Sequence, residues 1–345
     1  MKKNICLLIF CTTVLFTGCV QKKYNADRFT VETINRYTPV KNQGFSSDCW
    51  AYAMLATIES EHIERGDSVN LSVAYVMRMR LKDEFRRYYL SGGHIWFTER
   101  GMGQTLINTI ETYGAMPYDS YQDKDGFRSG VLCNKLKYIA DNAIGRKSGL
   151  KYTDNIVESN LDDLLGPAPL HVYMLGAEYT PLEFAHSVCG KDEYVALTSY
   201  THHPFYQQFA LEVQDNWEQN QQMNLPLDSM ENMVIKALRH HHSVCWEGDT
   251  SEPGFSFVSG VARLQNENKV VTQKDRQNSF EKFLTTDDHC MEILGLAHDR
   301  YGKRYFICKN SWGTDNPYKG LMYMSENYFR LKTIAVYLVK NGNSN

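Results

Sequence analysis

Apolar positions in the first third of the chain recur at the three- and four-residue spacing of amphipathic helices. The spacing is clearest at Trp50, Ala53, Met54 and Ile58, and Gly66 supplies a stop signal. The front third of the chain is therefore expected to be mostly helical. The predicted helices cover residues 50–65, 72–89 and 103–113.

The pattern changes from Ser243 onward, where short apolar runs alternate with turns in the manner of antiparallel strands. Just before this region, Asp228 and Glu231 have the spacing of a capping box, which predicts a helix reaching about His242. Residues 124–190 show weaker periodicity, which favours an insertion or crossover between two lobes. The predicted strands cover residues 243–246, 305–309, 320–325 and 333–339.

The N-terminus has the pattern of an export signal. Lys2 and Lys3 precede an apolar run that is too short to span a bilayer. Residues 16–19, Phe-Thr-Gly-Cys, resemble a bacterial lipoprotein cleavage box in which Cys19 is lipidated. The prediction is a signal peptide over 1–18, a tether over 19–28 and an exported, lipid-anchored domain over 29–345. An ordinary secretory signal is the alternative.

Composition narrows the class of protein. The chain has 345 residues, of which 43% are hydrophobic and 22% charged, as in ordinary globular proteins. The net charge of −3 gives no basis for a nucleic-acid partner. If the segments around His289 and Asn310 are neighbouring strands, side-chain alternation argues against a disulfide between Cys290 and Cys308.

Cys49, His289 and Asn310 have the residue types and order of a thiol hydrolase. Cys49 begins a predicted helix, whose free backbone N–H groups favour a thiolate. A nearby imidazolium would stabilise that thiolate further, and His289 is the candidate. Asn310 would hold the imidazole ring toward the sulfur. Because the nucleophile and its base are both side chains, no cofactor is implied.

Two further residues belong to this arrangement. Gln43, six residues before Cys49, would donate its amide to the oxyanion of the tetrahedral intermediate. Trp312 would shield the contact between His289 and Asn310 from water. Asp287 and Asp288 precede the histidine, and solvated loop carboxylates are the expected interpretation, with tuning of the imidazole charge as the alternative.

The other histidine clusters are interpreted as non-metal positions, so no metal site is predicted. Residues 240–242 are three consecutive histidines, which cannot share one face of a helix. His202 and His203 lie in a predicted loop.

These signatures resemble the papain superfamily of cysteine peptidases. They are 39–44 (Pro-Val-Lys-Asn-Gln-Gly), 47–53 (Ser-Asp-Cys-Trp-Ala-Tyr-Ala), 285–289 (Thr-Thr-Asp-Asp-His) and 309–314 (Lys-Asn-Ser-Trp-Gly-Thr). Together with 194–206 and 212–217, they are similar to the bleomycin hydrolase and aminopeptidase C branch. The resemblance implies a two-lobed α+β fold. Its expected parts are a helical lobe over 29–123 that carries the cysteine, a crossover over 124–190, and a β-rich lobe over 191–345 that carries the histidine and asparagine.

The resemblance also implies an activity, with departures that matter. It implies removal of N-terminal residues from peptides, and many members form homo-oligomers. Gly101 is the expected backbone contact for substrate. Asp48, where the branch has Gly or Arg, would bind a substrate amine, stabilise the imidazolium or oppose thiolate formation. Residues 340–345 form a short tail that would reach about 20 Å if extended. An endopeptidase with an open cleft and a non-catalytic peptide-binding module therefore stay as alternatives.

Overall fold

The computed structural model describes residues 29–122, 128–174 and 176–340. The predicted signal peptide, Cys19 and the tether lie outside the described residues, as do residues 341–345 of the C-terminal tail. No helix in the described ranges has the length and apolar character needed to cross a membrane.

The three helices predicted for the front of the chain are confirmed, and α1 starts at the candidate nucleophile. Six more helices follow, and short 3-10 turns occur at Tyr118–Ser120 and Gln214–Asn216. The helices in chain order are α1 Cys49–Glu64, α2 Val73–Leu90, α3 Gly103–Tyr113, α4 Ser129–Arg146, α5 Leu150–Leu165, α6 Pro181–Val188, α7 Leu227–Arg239, α8 Gln273–Glu281 and α9 Glu326–Lys332.

The strands form one large, mostly antiparallel sheet and one small hairpin, and all four predicted strands are present. They are β1 Phe29–Ile34, β2 Val172–Met174, β3 Ala177–Tyr179, β4 Tyr194–Thr198, β5 Gln208–Ala210, β6 Gln221–Asn224, β7 Val244–Gly248, β8 Phe255–Ser256, β9 Val261–Ala262, β10 His289–Asp299, β11 Arg304–Lys309, β12 Leu321–Ser325 and β13 Thr333–Val339. The large sheet runs in the order β5-β6-β4-β13-β7-β10-β11-β12-β9-β8, with β1 also paired to β10, and β2 pairs β3 separately.

The buried side chains form two main clusters, one on each face of the central strands of the large sheet. Helix α1 is buried over most of its length and packs against β10, while α2 and α3 cover its other side. Helices α7 and α9 contribute to the second cluster. Cys49 thus lies on a helical part, whereas His289 starts a strand and Asn310 directly follows one. This is the predicted α+β arrangement.

Two expectations need correction. Residues 124–190, in which no helix was predicted, include α4 and α5, which pack against α2. Helix α7 exists, but its N-cap is Pro226 without a side-chain cap, so the predicted capping box is wrong. Asp228 and Glu231 instead form ion pairs with Arg330. The helix ends before the three histidines, because His241 has a φ of 64° that an α-helix does not allow.

Candidate active site

The fold brings four predicted residues from distant parts of the chain to one place. Cys49 opens α1 and His289 opens β10, so both stand at element ends. Asn310 follows β11, which is the antiparallel neighbour of β10. Gln43 lies in the loop before α1 and is hydrogen-bonded through its backbone N–H to the carbonyl of Ser311. A cleft of about 300 Å³ is lined by Gln43, Cys49 and His289, among others.

The imidazole of His289 is held from two sides. Its Nε2 lies 2.8 Å from Oδ1 of Asn310, and that oxygen also accepts a hydrogen bond of 2.7 Å from the Ser311 N–H. The indole of Trp312 packs on the ring, with centroids 4.5 Å apart and planes tilted by 33°. Because Nε2 faces Asn310, the other ring nitrogen, Nδ1, is the one available to Cys49. The position of Trp312 on the imidazole is the one expected of a residue that shields the contact between His289 and Asn310 from water.

Hydrogen bonding strongly favours the charged form of Cys49. The thiol of Cys290 donates a hydrogen bond to the Cys49 sulfur, and this is the largest cause that holds the Cys49 pKa well below its ordinary value. A hydrogen bond from His289 and the positive charge of its imidazolium lower this pKa further, whereas burial opposes them. These surroundings thus favour the thiolate form of Cys49 over the neutral thiol.

The side-chain amide of Gln43 has a fixed orientation. Nε2 donates to the carbonyl of Ser46 at 2.7 Å, and Oε1 accepts from the hydroxyl of Ser311 at 2.5 Å. A primary amide has two N–H donors, so Nε2 keeps a second donor beyond the bond to Ser46. Gln43 lines the same cleft as Cys49, so the side chain that carries this donor borders the cleft.

Comparison with known proteins supports what the geometry indicates. Residues 171–341 match the family model described as "Peptidase C1-like family". Aminopeptidase G of Lactobacillus delbrueckii subsp. lactis is 21% identical over 349 residues, which cover 84% of this chain and 78% of the relative. Aminopeptidase C of Lactobacillus helveticus is 26% identical over 280 residues, which cover 66% of this chain and 59% of the relative.

The crystal structure of PepW from Lactobacillus rhamnosis superposes with a TM-score of 0.70 at 17% identity, covering 90% of this chain and 82% of that chain. At this identity the likeness shows the fold, which is papain-like. By its fold and relatives the chain is a cysteine-type peptidase similar to aminopeptidase C.

Asp48 of this peptidase does not line the cleft, which corrects its prediction as a substrate-binding residue. Its side chain is 1% exposed and is approached by the hydroxyls of Ser129 and Ser46. Burial is the dominant effect and raises the pKa of Asp48 to about 7, although both hydroxyls lower it. The carboxyl group is thus enclosed in the protein, where a substrate does not reach it.

Gly101 lines the cleft of the peptidase, as the resemblance implied. A Cβ at this position would lie 3.0 Å from the methyl carbon of Thr105 and 3.2 Å from its hydroxyl oxygen. These separations are tighter than ordinary van der Waals contact, so a side chain would displace Thr105. The wall of the cleft is therefore bare backbone at this point.

The peptidase cleft also contains acidic residues that sequence reasoning did not assign to the site. Asp215, Glu247 and Asp287 line it, together with Arg100. The interpretation of Asp287 as a solvated carboxylate is wrong, because its Oδ2 is buried. Its position directly before Asp288 and the site histidine was a signal for a cleft residue. Glu247 gave no such signal, because only the pairing of β7 with β10 places it here.

The histidine clusters of the peptidase are engaged by carboxylates. His202 and His203 contact Glu212 at 3.1 and 2.6 Å, and potential ligand atoms of the three residues lie within 4.8 Å of one another. His242 is paired with Glu61 at 2.9 Å, and this hydrogen bond raises the His242 pKa. The absence of a functional metal stays a prediction.

Proposed function

We propose that this peptidase cleaves peptide bonds with Cys49 as nucleophile and His289 as its proton-transfer partner. The observation that carries the proposal is the fixed imidazole: Nε2 of His289 is 2.8 Å from Oδ1 of Asn310, while the ring hydrogen-bonds Cys49. A thiolate next to an oriented imidazolium is an activated nucleophile, and it requires no metal.

The proposed reaction uses two covalent steps. The Cys49 thiolate attacks the carbonyl carbon of the cleaved bond, and Gln43 with the Cys49 backbone N–H stabilises the oxyanion. As the carbon–nitrogen bond breaks, His289 gives its proton to the leaving amine, and an acyl-enzyme remains on the sulfur. His289 then takes a proton from water, which attacks the acyl carbon and releases the carboxylic acid and the thiolate.

The relatives favour an aminopeptidase, because two of them carry that name. Hydrolysis of fluorogenic amides with free or acetylated N-termini tests this proposal, with Cys49→Ala as the inactive control. Preference for free amines is expected. Equal cleavage of both would support the open-cleft endopeptidase instead.

A non-catalytic peptide-binding module is the alternative from another class. An epoxide inhibitor that alkylates active-site thiolates should label the native protein and leave Cys49→Ala unlabelled. If the native protein neither labels nor hydrolyses any peptide, the peptidase proposal fails.

We propose further that the enzyme is exported and acts on peptides in a bacterial cell envelope, tethered by a lipid on Cys19. The support is the sequence pattern of residues 1–19 alone. Metabolic labelling with a clickable fatty acid should label the wild-type chain and leave Cys19→Ala unlabelled. On fractionation, the wild-type chain should be found with the membranes and Cys19→Ala should not. An unlabelled wild-type chain would contradict the anchor.

A further inference from the structure

We propose that Glu247 and Asp287 form a subsite for a positively charged ammonium group of the substrate, in the same cleft as Cys49. The inference rests on the proposed peptidase function and adds the substrate class that the cleft selects. One carboxylate, that of Glu247, lies on β7 of the large sheet, and the other, that of Asp287, lies on the segment just before His289.

Glu247 is fully buried yet only half satisfied. It lies on β7 opposite Cys290 of β10, so both side chains share the face of the sheet that packs on α1. The Tyr337 hydroxyl donates a hydrogen bond of 3.0 Å to Oε2 of Glu247. Among the described residues, Oε1 has no hydrogen-bond partner, although Glu247 lines the cleft and is 0% exposed. Such an unpartnered buried carboxylate oxygen is costly unless a ligand supplies the missing donor.

Asp287 repeats this situation on the neighbouring segment. Its Oδ2 is buried and has no hydrogen-bond partner in the part of the chain that the structure describes, and the residue lines the same cleft. The guanidinium of Arg100 is close, but its hydrogen bonds go to other groups than the Asp287 carboxylate. Its Nε lies 2.8 and 2.9 Å from the two carboxylate oxygens of Asp215, and one terminal nitrogen donates at 2.9 Å to the backbone carbonyl of Asp287. The ion pairs found in the described part of the chain include neither Glu247 nor Asp287.

The electrostatics of the proposed subsite favour a cation. Burial raises the pKa values of Glu247 and Asp287 well above the ordinary range, and repulsion among the carboxylates raises them further. A positive group placed between them would remove this repulsion and stabilise both charged forms. Among the described residues, the cleft holds one guanidinium, from Arg100, and four acids, Asp215, Glu247, Asp287 and Asp288, so acidic groups outnumber guanidinium groups.

An ammonium group fits this subsite better than a metal ion. It has three N–H donors and no acceptor, which matches carboxylate oxygens that lack donors. The α-amino group of a peptide has a pKa of about 8, so it is charged at neutral pH. The acids of the cleft do not converge like metal ligands. Across the described ranges, the group of three or more candidate ligands that does converge is His202, His203 and Glu212.

Two parts of a peptide could supply the ammonium. The α-amino group of the residue being removed would make the enzyme an aminopeptidase. A lysine side chain one residue earlier would make it selective for basic peptides. Both place a cation beside the scissile bond, and two substrate pairs distinguish them. One pair is an aminoacyl amide with a free or acetylated amine, and the other is an acetylated dipeptidyl amide with lysine or norleucine in first position.

The test measures kcat/KM for each pair in the wild-type enzyme and in Glu247→Gln and Asp287→Asn. Glu292→Gln is the matched control, because Glu292 is a buried glutamate on β10, bonded to Ser60 and Lys309, that does not line the cleft. We expect one pair to show a cationic preference that falls about 10- to 100-fold in the cleft variants. The preference should persist in Glu292→Gln. The ratio within a pair is insensitive to partial unfolding, which lowers both rates together.

The outcomes separate this inference from the peptidase proposal. Loss of preference in the free-amine pair identifies the α-amine, and loss in the lysine pair identifies the side chain. If the wild-type enzyme labels at Cys49 and hydrolyses peptides without preference in either pair, the subsite is wrong while the peptidase stands. A preference that is unchanged in both cleft variants overturns it as well. If Glu247→Gln does not fold, Asp287→Asn decides alone.

Discussion

The Cys290 thiol donates a hydrogen bond to the sulfur of Cys49, and Cys290 is the residue that directly follows His289. One strand end therefore supplies both the imidazole and a second donor for the thiolate. Cys290 is buried, and its own pKa is raised well above the ordinary value by burial first and then by the bond to Cys49. It stays protonated and acts as a donor.

Replacing Cys290 with Ala should raise the pKa of Cys49, because the largest cause of its lowering is removed. Since the thiolate exists above that pKa, the acidic limb of the reaction should move to higher pH. Alkylation rates of Cys49 with chloroacetamide between pH 4 and 8 measure the shift.

Two matched variants check the cause. Cys290→Ser retains a hydroxyl donor, so the acidic limb of its pH profile should lie close to that of the wild-type enzyme. Cys308→Ala removes a buried thiol from the other core cluster and should leave the profile unchanged. An unaltered profile in Cys290→Ala would contradict the role of the S–H donor.

Asn310→Ala should lower kcat on the order of 100-fold, because a misplaced imidazole loses the geometry for proton transfer. The variant removes the oxygen that lies 2.8 Å from Nε2 of His289. Asn327→Ala, which removes an asparagine that accepts from the Val271 N–H, is the control and should keep kcat. Unchanged kcat in Asn310→Ala would show that His289 is held by other contacts.

The candidate site was predictable from sequence to the extent that local signatures carry it. Cys49 at a helix start and His289 and Asn310 in their motifs need only order and spacing to be recognised. Glu247 and Cys290 could not be assigned, because their place depends on which strand pairs with which and in what register. A glutamate at the end of an apolar run looks like a solvent-facing residue until its neighbours are known.

The fold was predictable in the same uneven way. Helices α1 to α3 have clear stop signals or periodic apolar faces. Helices α4 and α5 were missed because few of their residues are buried, and the stripe that packs on α2 is narrow. The capping-box prediction failed because Arg330, distant in sequence, recruits both carboxylates. Tertiary contacts thus outweigh local preference at that helix start.

Chelators should leave peptide hydrolysis unchanged, because the proposed nucleophile and base are side chains. Activity in the presence of EDTA and of a thiol alkylating agent measures this, and only the alkylating agent should abolish it. His203→Ala, in the histidine–carboxylate group with Glu212, should keep full activity. Loss of activity in EDTA with recovery on adding zinc would contradict the thiol mechanism.

Asp48→Asn should stabilise the protein increasingly as pH rises. Burial raises the pKa of Asp48 from 3.8 to about 7, so the folded state binds this proton more tightly than the unfolded chain. The wild-type contribution to the free energy of unfolding therefore falls by about 1.4 kcal/mol per pH unit between these two values. Asn removes that loss, so denaturation midpoints of variant and wild type should diverge from pH 4 to pH 7 and run parallel above it. Asp119→Asn, at an exposed aspartate, should show no such divergence. A constant difference between Asp48→Asn and wild type would mean that the carboxyl group is equally charged in both states.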